Sequence, residues 1–403
     1  MLKDRCILLG VSGGIACYKA VELLRLLKQA GANVTVVMTA NAQKFVTPLT
    51  FQTLSGNPAL TDTFRLENRS EIEHIAAVDR SELFVIAPAT ANLIGKIAGG
   101  VADDMVTTMA LACTTPLLIA PAMNVHMWEN PVLQQNIAKL KALKHEVIEP
   151  GEGELACGYV GAGRMAEPET IFEHIQQYLG PQDLKEETIL VTAGPTQETL
   201  DPVRVLTNRS SGKMGYAIAQ AAKRRGAQVI LISGPTRLSP PIDVEYHSVT
   251  TTQEMRDAVM KAFTKATIII KAAAVSDFRP AQVHRQKIKK VKGKVQWLME
   301  ETPDILGELG RKKGSKILVG FAAETERLEE NARKKLLAKN LDLIVANDVT
   351  EPGAGFEVDT NRALLLDKKG GVQDLPLMPK IQLASKILDR VVALRQQKQT
   401  ERR

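Results

Sequence analysis

CILLGVSGGIACYKAVELLRLLKQAGANVTVVMT, residues 6–39, decides the fold. A short apolar run without charge is a buried strand, and SGG turns it into a stretch with apolar residues at helical spacing. Gly31 stops that helix, and NVTVVM resumes as a second strand. The plan starts again at TILVTAGPTQE (188–198) and continues in GKMGYAIAQAAKRRGAQVILISG (212–234), with Gly226 as the helix stop and a longer loop after the strand. Further short apolar runs alternate with helical stretches at 83–87, 116–120 and 146–149, and again at 267–271, 316–320 and 342–346. Such alternation predicts an α/β chain with two doubly wound, mostly parallel Rossmann-like domains in series. Ligands of such sheets bind beyond the carboxyl ends of the strands, so each polar or glycine-rich strand end is a candidate site.

The length of 403 residues suits two such domains. The polar stretch GPQDLKEET (180–188) separates them, which predicts domains at 1–183 and 188–396, followed by a polar tail at 397–403. EPGAGFEVDTNRALLL, from 351, reads as a closing hairpin. No run approaches the ~18 apolar residues of a membrane span. Four cysteines without a CxxC pair or zinc spacing predict free thiols and a cytoplasmic location. Residues 1–180 hold 14 Lys and Arg against 18 Asp and Glu, while 181–403 hold 38 against 27. With aromatics at 4% and no nucleic-acid motif, the basic half predicts small anionic substrates rather than nucleic acid.

In the first half, GVSGGIA places Ser12, Gly13, Gly14 and Ile15 at a helix start, where a phosphate is favoured. It departs from GxGxxG and lacks an acidic residue placed for a ribose, which favours a mononucleotide over a nicotinamide dinucleotide. APATAN (87–92) and APAMNVHMW (120–128) end two strands with Pro88, Thr90 and Asn92, and with Asn124 and Met127, as one ligand-binding crest. GEGELACGYVGAGRMAEP (151–168) has five glycines and no periodicity, which predicts a mobile flap carrying Cys157. His74 sits on a helix ahead of the third strand.

SGGIA, His74, APATAN, PAMNVHMW and LACGYVGAGRM together resemble the flavin-containing cysteine decarboxylases, specifically phosphopantothenoylcysteine decarboxylase. The resemblance implies a flavodoxin-like half that binds FMN through Ser12, Gly13, Gly14, Ile15, Thr39, Pro88, Ala89, Thr90 and Ala122. It implies that FMN oxidises the thiol end of the substrate, so that CO₂ can leave a carbon next to an electron sink. His74 would assist this step, Asn124 and Met127 would hold phosphopantothenoylcysteine, and Cys157 would donate the final proton.

In the second half, TNRSSGKMG (207–215) gathers Asn208, Arg209 and Lys213 at a helix start without forming a Walker loop. AAAVSDFRP ends a strand at Asp277, QKIKKVKGK begins a lysine run in which Lys287 is the phosphate candidate, and TPDIL opens a helix. Lys335 and Lys339 share a helical face, a like-charge pair that an anion would relieve, and Phe321 ends a strand where it could stack on a base. In this order the motifs resemble phosphopantothenate–cysteine ligase, and the two halves together resemble the bacterial bifunctional family of coenzyme A synthesis. The resemblance implies that CTP activates 4′-phosphopantothenate as an acyl-cytidylate, which cysteine then attacks. Asn208 would hold that intermediate and Lys287 would stabilise the charged transition state. Ala272, Ala273, Asp277, Lys287, Pro303, Asp304, Ile305, Leu306, Phe321, Lys335 and Lys339 would contact CTP, with Mg²⁺ bound mainly through its phosphates. A homo-oligomer is also implied, with trimeric flavoprotein halves and dimeric ligase halves in a dodecamer.

Overall fold

The computed structural model describes residues 2–63, 73–154, 158–289, 296–348, 350–351 and 353–400. The chain divides into two compact units, Met1–Gly180 and Pro181–Arg403, each with its own core.

The first unit runs β1 (Cys6–Val11), α1 (Cys17–Gln29), β2 (Asn33–Met38), α2 (Pro48–Ser55), α3 (Glu73–Arg80), β3 (Leu83–Ala89), α4 (Ala91–Gly99), α5 (Met105–Ala112), β4 (Leu117–Pro121), α6 (Val125–Trp128), α7 (Pro131–Ala142), β5 (Glu146–Val147), β6 (Gly151–Glu154), β7 (Val160–Arg164) and α8 (Pro168–Leu179). Its five-stranded sheet has the order β2-β1-β3-β4-β5 and is parallel throughout. The opening stretch folds as its pattern dictates. Cys17, Ala20, Leu23, Leu24 and Leu27 form the buried stripe of α1, and each leucine contributes roughly 1.5–3 kcal/mol by leaving water. Gly31 follows with φ of 84°, a left-handed conformation that costs glycine little and lets the chain turn directly into β2.

The glycine-rich stretch at 151–168, expected as a flap rather than a packed element, is corrected in one respect: it contains paired strands. Its described flanks are an antiparallel hairpin, β6 with β7, and Met123 N–H donates to Gly163 O at 2.9 Å. The glycines serve close approach here: a Cβ on Gly163, at φ of 150°, would meet Met123 O at 2.4 Å.

The second unit runs β8 (Thr188–Ala193), β9 (Gln197–Thr199), β10 (Val205–Thr207), α9 (Lys213–Lys223), β11 (Gln228–Ser233), β12 (Glu245–Ser248), α10 (Thr252–Phe263), β13 (Ile268–Lys271), β14 (Phe278–Pro280), β15 (Met299–Glu301), α11 (Ile305–Lys312), β16 (Ile317–Glu324), α12 (Leu328–Ala338), β17 (Leu343–Asp348), β18 (Thr360–Asp367), β19 (Val372–Pro379) and α13 (Lys380–Thr400). Its main sheet has eight strands in the order β12-β11-β8-β13-β16-β17-β18-β19. Strands β12 to β17 are parallel, and β18 and β19 close the edge as an antiparallel hairpin. The long loop after β8 contains a ribbon of β9 and β10 that three-residue strands hide from pattern reading. The expected polar tail is also corrected. Residues 397–400 belong to α13, where Lys398 pairs with Asp342 at 2.7 Å; 401–403 lie outside the described residues. Among the described residues no helix is long and apolar enough to cross a membrane.

Candidate active sites

Each unit carries a large cavity at the carboxyl ends of its parallel strands, where the strand order reverses direction. In the first unit β1 and β3 are neighbours at that reversal, and Ser12 joins their ends. Its Oγ donates to Pro88 O at 2.7 Å and accepts from Thr90 N–H at 2.9 Å. Gly13 permits the turn to pass Asn41, because a Cβ there would lie 2.4 Å from the Asn41 Cβ. No acidic residue occupies the first turn of α1, so this helix start is open to an anion.

The resulting cavity, of about 1100 Å³, brings together Ser12, Gly13, Gly14, Ile15, Thr39, Thr90, Ala122, Asn124 and Met127. Pro88 and Ala89 stand behind the lining: Pro88 O holds Ser12, and Ala89 O accepts from Ala122 N–H at 3.0 Å. Asn124 caps α6, its Oδ1 accepting from His126 N–H at 2.9 Å. His74 lies on α3, half-buried, and does not line the cavity of its own chain. Cys157 lies outside the described residues. Lys19, Lys96 and Arg164 also line the cavity and were missed, because isolated cations on amphipathic helices or in a hairpin carry no sequence signal. Lys19 is buried and bonds Glu167 at 2.8 Å and Met165 O at 3.3 Å, fixing the base of the hairpin to α1.

In the second unit the reversal falls between β8 and β13, and the cavity of about 630 Å³ extends from there, with Asn208, Gly212 and Lys213 after β8, over β13, β16 and β17. Ala272, Ala273 and Asp277 line it after β13; Pro303, Asp304, Ile305 and Leu306 at the start of α11; Phe321 from β16; and Lys335 and Lys339 from α12 and its end. Asn208 is there too, its Nδ2 donating to Ala274 O at 3.0 Å.

Lys287 is the exception. It is exposed and does not line the cavity; the adjacent Ile288 is tied by its N–H to Asp201 and by its carbonyl to Arg204, on the outer ribbon. Lys271, at the end of β13, is the buried ammonium that faces the cavity instead. Burial, and then repulsion from Lys335, push Lys271 down to about 8, against the pull of Asp304 and Asp277. Lys335 is also lowered, mainly by burial, and donates to Phe321 O at 3.0 Å. Burial opposes ionisation of Asp304, but its bonds to Lys339 (2.6 Å) and Gly307 N–H (2.9 Å) hold its carboxyl below the usual range.

Two more lining residues escaped pattern reading. Asn347 lines the cavity, and its Oδ1 is buried with no hydrogen-bond partner among the described residues, an acceptor left for a ligand donor to satisfy. Lys380, from α13, is buried among the carbonyls of Gly355, Phe356 and Val358, and burial followed by Lys213 pushes it down to about 8. Lys213, one of the two cations gathered at the start of α9, bonds Asp359 at 2.7 Å and Glu357 O at 2.8 Å. It fastens the 353–359 loop rather than standing open to an anion. Among the described residues no group of three or more His, Cys, Asp or Glu can hold a metal ion.

Comparisons with known proteins give the family. The family model described as Flavoprotein matches residues 1–180, and that described as DNA/pantothenate metabolism flavoprotein C-terminal domain matches 184–394. The "Coenzyme A biosynthesis bifunctional protein CoaBC" of Bacillus subtilis (strain 168) is 52% identical over 401 residues, covering 98% of this chain and 99% of that protein. A crystal structure of the C-terminal domain of such a protein is 44% identical, covers 53% of this chain and 97% of that one, and has a TM-score of 0.46. A PPC decarboxylase mutant complexed with pantothenoylaminoethenethiol is 33% identical, with 44% and 98% covered and a TM-score of 0.40. With two adjoining family matches and a full-length relative at this identity, the chain belongs to the family of coenzyme A biosynthesis bifunctional proteins.

Proposed function

We propose that the second unit joins 4′-phosphopantothenate to cysteine at the expense of CTP, and that the first unit decarboxylates the product to 4′-phosphopantetheine with FMN. The observation that carries this reading is that most described residues of the two motif sets, His74 and Lys287 apart, line two separate cavities, each at the carboxyl ends of its own parallel sheet.

In the ligase reaction a carboxylate oxygen of phosphopantothenate attacks the α-phosphorus of CTP and pyrophosphate leaves. The cysteine amine then attacks the acyl carbon, and CMP leaves with the former carboxylate oxygen. The first step crowds negative charge that cations must offset. Lys271, Lys335 and Lys339 offer three ammonium groups in one cavity, and a bound triphosphate would hold Lys271 protonated through neutral pH. Phe321 would face the base, Asn347 Oδ1 would accept from its amino group, and Asn208 would hold the acyl-cytidylate. Mg²⁺ would enter with CTP, since phosphates and waters can supply most of its ligands.

The first cavity fits FMN: a glycine turn at a helix start for the phosphate, and beside it a lining with Ile15, Ala122 and Met127 for a flat ring. When bound, FMN supplies the two-electron oxidation and later re-reduction of the sulfur-bearing carbon. Asn124 holds the substrate carboxylate, and Cys157 returns a proton to carbon after CO₂ has left. His74 does not line its own chain's cavity; in the proposed homo-oligomer with trimeric flavoprotein halves it would act in that of a neighbouring copy. Dimeric ligase halves would extend this to a dodecamer.

The test mixes the purified chain with CTP, cysteine and 4′-phosphopantothenate and weighs the products. Phosphopantetheine, CMP, pyrophosphate and CO₂ in equal amounts are expected. Acylcysteine without CO₂ from a flavin-loaded chain would remove the first half of the reading, and no CTP consumption would remove the second.

A further inference from the structure

Lys380 opens α13 and lines the ligase-half cavity, yet its ammonium has no donor left for a substrate. An ammonium offers three N–H bonds, and three backbone carbonyls of one loop take them: Gly355 O at 2.9 Å, Phe356 O at 3.3 Å and Val358 O. Lys380 is 5% exposed, whereas Phe356, Glu357, Val358 and Asp359 are exposed. The 353–359 loop is thus held from beneath by one buried cation. Keeping a charge out of water is costly, so a lysine here serves the loop and not the core. Asn361 adds a second hold, its Oδ1 accepting from Gly355 N–H at 3.2 Å.

The segment that carries Asn208 leans on that loop. At one end, residues 207–213 are tied to the turns that follow β8 and β13: Thr207 Oγ1 donates to Thr196 O at 2.8 Å and Asn208 Nδ2 to Ala274 O at 3.0 Å. At the other end, Ser211 Oγ donates to Phe356 O, and Lys213 Nζ to Glu357 O at 2.8 Å and to Asp359 at 2.7 Å. Phe356 O therefore accepts from Lys380 and from Ser211 together. A displacement of the loop passes directly to the Asn208 segment.

We propose that Lys380 is a positioning residue of the ligase: through the 353–359 loop it sets the Asn208 segment so that the acyl-cytidylate stays bound until cysteine attacks. The inference rests on the ligase reading above and deepens it. An intermediate that escapes meets water, which attacks the acyl carbon. CMP leaves with the former carboxylate oxygen, phosphopantothenate is regenerated and a proton passes to solvent. The mark of a loosened loop is therefore CTP spent without product.

The full chain is given CTP, Mg²⁺, 4′-phosphopantothenate and cysteine, and CMP is counted against all cysteine-derived products by mass spectrometry. The parent should release CMP and product in equal amounts. Lys380→Met leaves three carbonyls without their donor and should speed escape of the acyl-cytidylate at least about tenfold, the weight of one charged hydrogen bond, so that CMP clearly exceeds product. KM for CTP should be unchanged, because Lys335 and Lys339 are untouched. Lys213→Met loosens the same loop from its exposed side and should uncouple likewise. The double substitution should uncouple no more than the stronger single one, since both act through one loop. Lys386→Gln, on the exposed face of α13, should stay coupled. Hydrogen exchange should quicken in peptides covering 353–359 and 207–213 of Lys380→Met, while β13 and β16 keep their protection. Should Lys380→Met fail to fold, Lys213→Met decides alone, and coupled turnover there overturns the proposal. So does a folded Lys380→Met chain that is slower but still makes CMP and product in equal amounts. A parent that consumes no CTP would instead remove the ligase reading itself, and this inference with it.

Discussion

Lys271 offers the sharpest test of the ligase cavity, because its burial should cost the empty protein stability that it returns on binding. Its proton affinity falls from the ordinary 10.5 to about 8 in the folded chain. At 1.36 kcal/mol for each unit, the charged form in the empty cavity costs about 3 kcal/mol at pH 7. The sign follows from proton counting. Between pH 8 and 10.5 the unfolded lysine binds more protons than the folded one, so stability rises with pH across that window and the penalty fades. Lys271→Met should therefore stabilise the second unit by up to about 3 kcal/mol at pH 7 and by less than about 1 kcal/mol at pH 10. The same substitution should weaken CTP binding by at least about tenfold, since a charged contact is lost. Equilibration of the full chain in urea at each pH, followed by a deuterium pulse and mass spectrometry of peptides covering 268–271, reads this unit separately from the first. A variant no more stable than the parent at pH 7, or a gain unchanged at pH 10, would refute the charged-lysine account.

Four further outcomes are expected. Lys335→Gln should raise KM for CTP several-fold more than KM for cysteine; equal effects would remove Lys335 from the triphosphate. Asn208→Asp sets a carboxylate against the acyl-cytidylate and should stop the ligase while decarboxylation of supplied phosphopantothenoylcysteine continues, as CO₂ release would report. Cys157→Ser should leave CO₂ release largely intact while an ene-thiol accumulates in the mass spectrum; an unchanged yield of phosphopantetheine would contradict its role as proton donor. Gly163→Ala meets both an unfavourable φ and the Met123 carbonyl at 2.4 Å, so it should destabilise the hairpin by about 1–3 kcal/mol and lower flavin retention, measured by absorbance of the desalted protein.

What was legible in the chain follows the physics of each signal. Doubly wound sheets write themselves as alternating apolar runs, so β1, β3, β13 and β17 lie within a residue or two of their expected positions. Glycine turns at strand ends were readable because they need a particular backbone. The ribbons β9–β10 and β14–β15 were not, since three-residue strands leave no period. Lys271 was hidden for a related reason: it ends a run of isoleucines, and only the register of β13 with β16 turns it into the cavity rather than to solvent. Lys287 was overread, because a lysine run advertises charge without saying which way any member faces. Lys380 reads as an ordinary helix start, and its role depends on a loop more than twenty residues earlier in the chain.

That last anchor bears on how the chain is made. In the first unit α8 completes the core by packing against α1, and every residue it needs has been synthesised by position 180. The 353–359 loop, by contrast, becomes a wall of the second cavity only when Lys380 gathers its carbonyls and Lys213 grips Asp359. A growing polypeptide can therefore mature its flavin-type half early, while its nucleotide pocket stays unfinished until α13 has been made. Nonsense truncations upstream of α13 should consequently spare one half and silence the other.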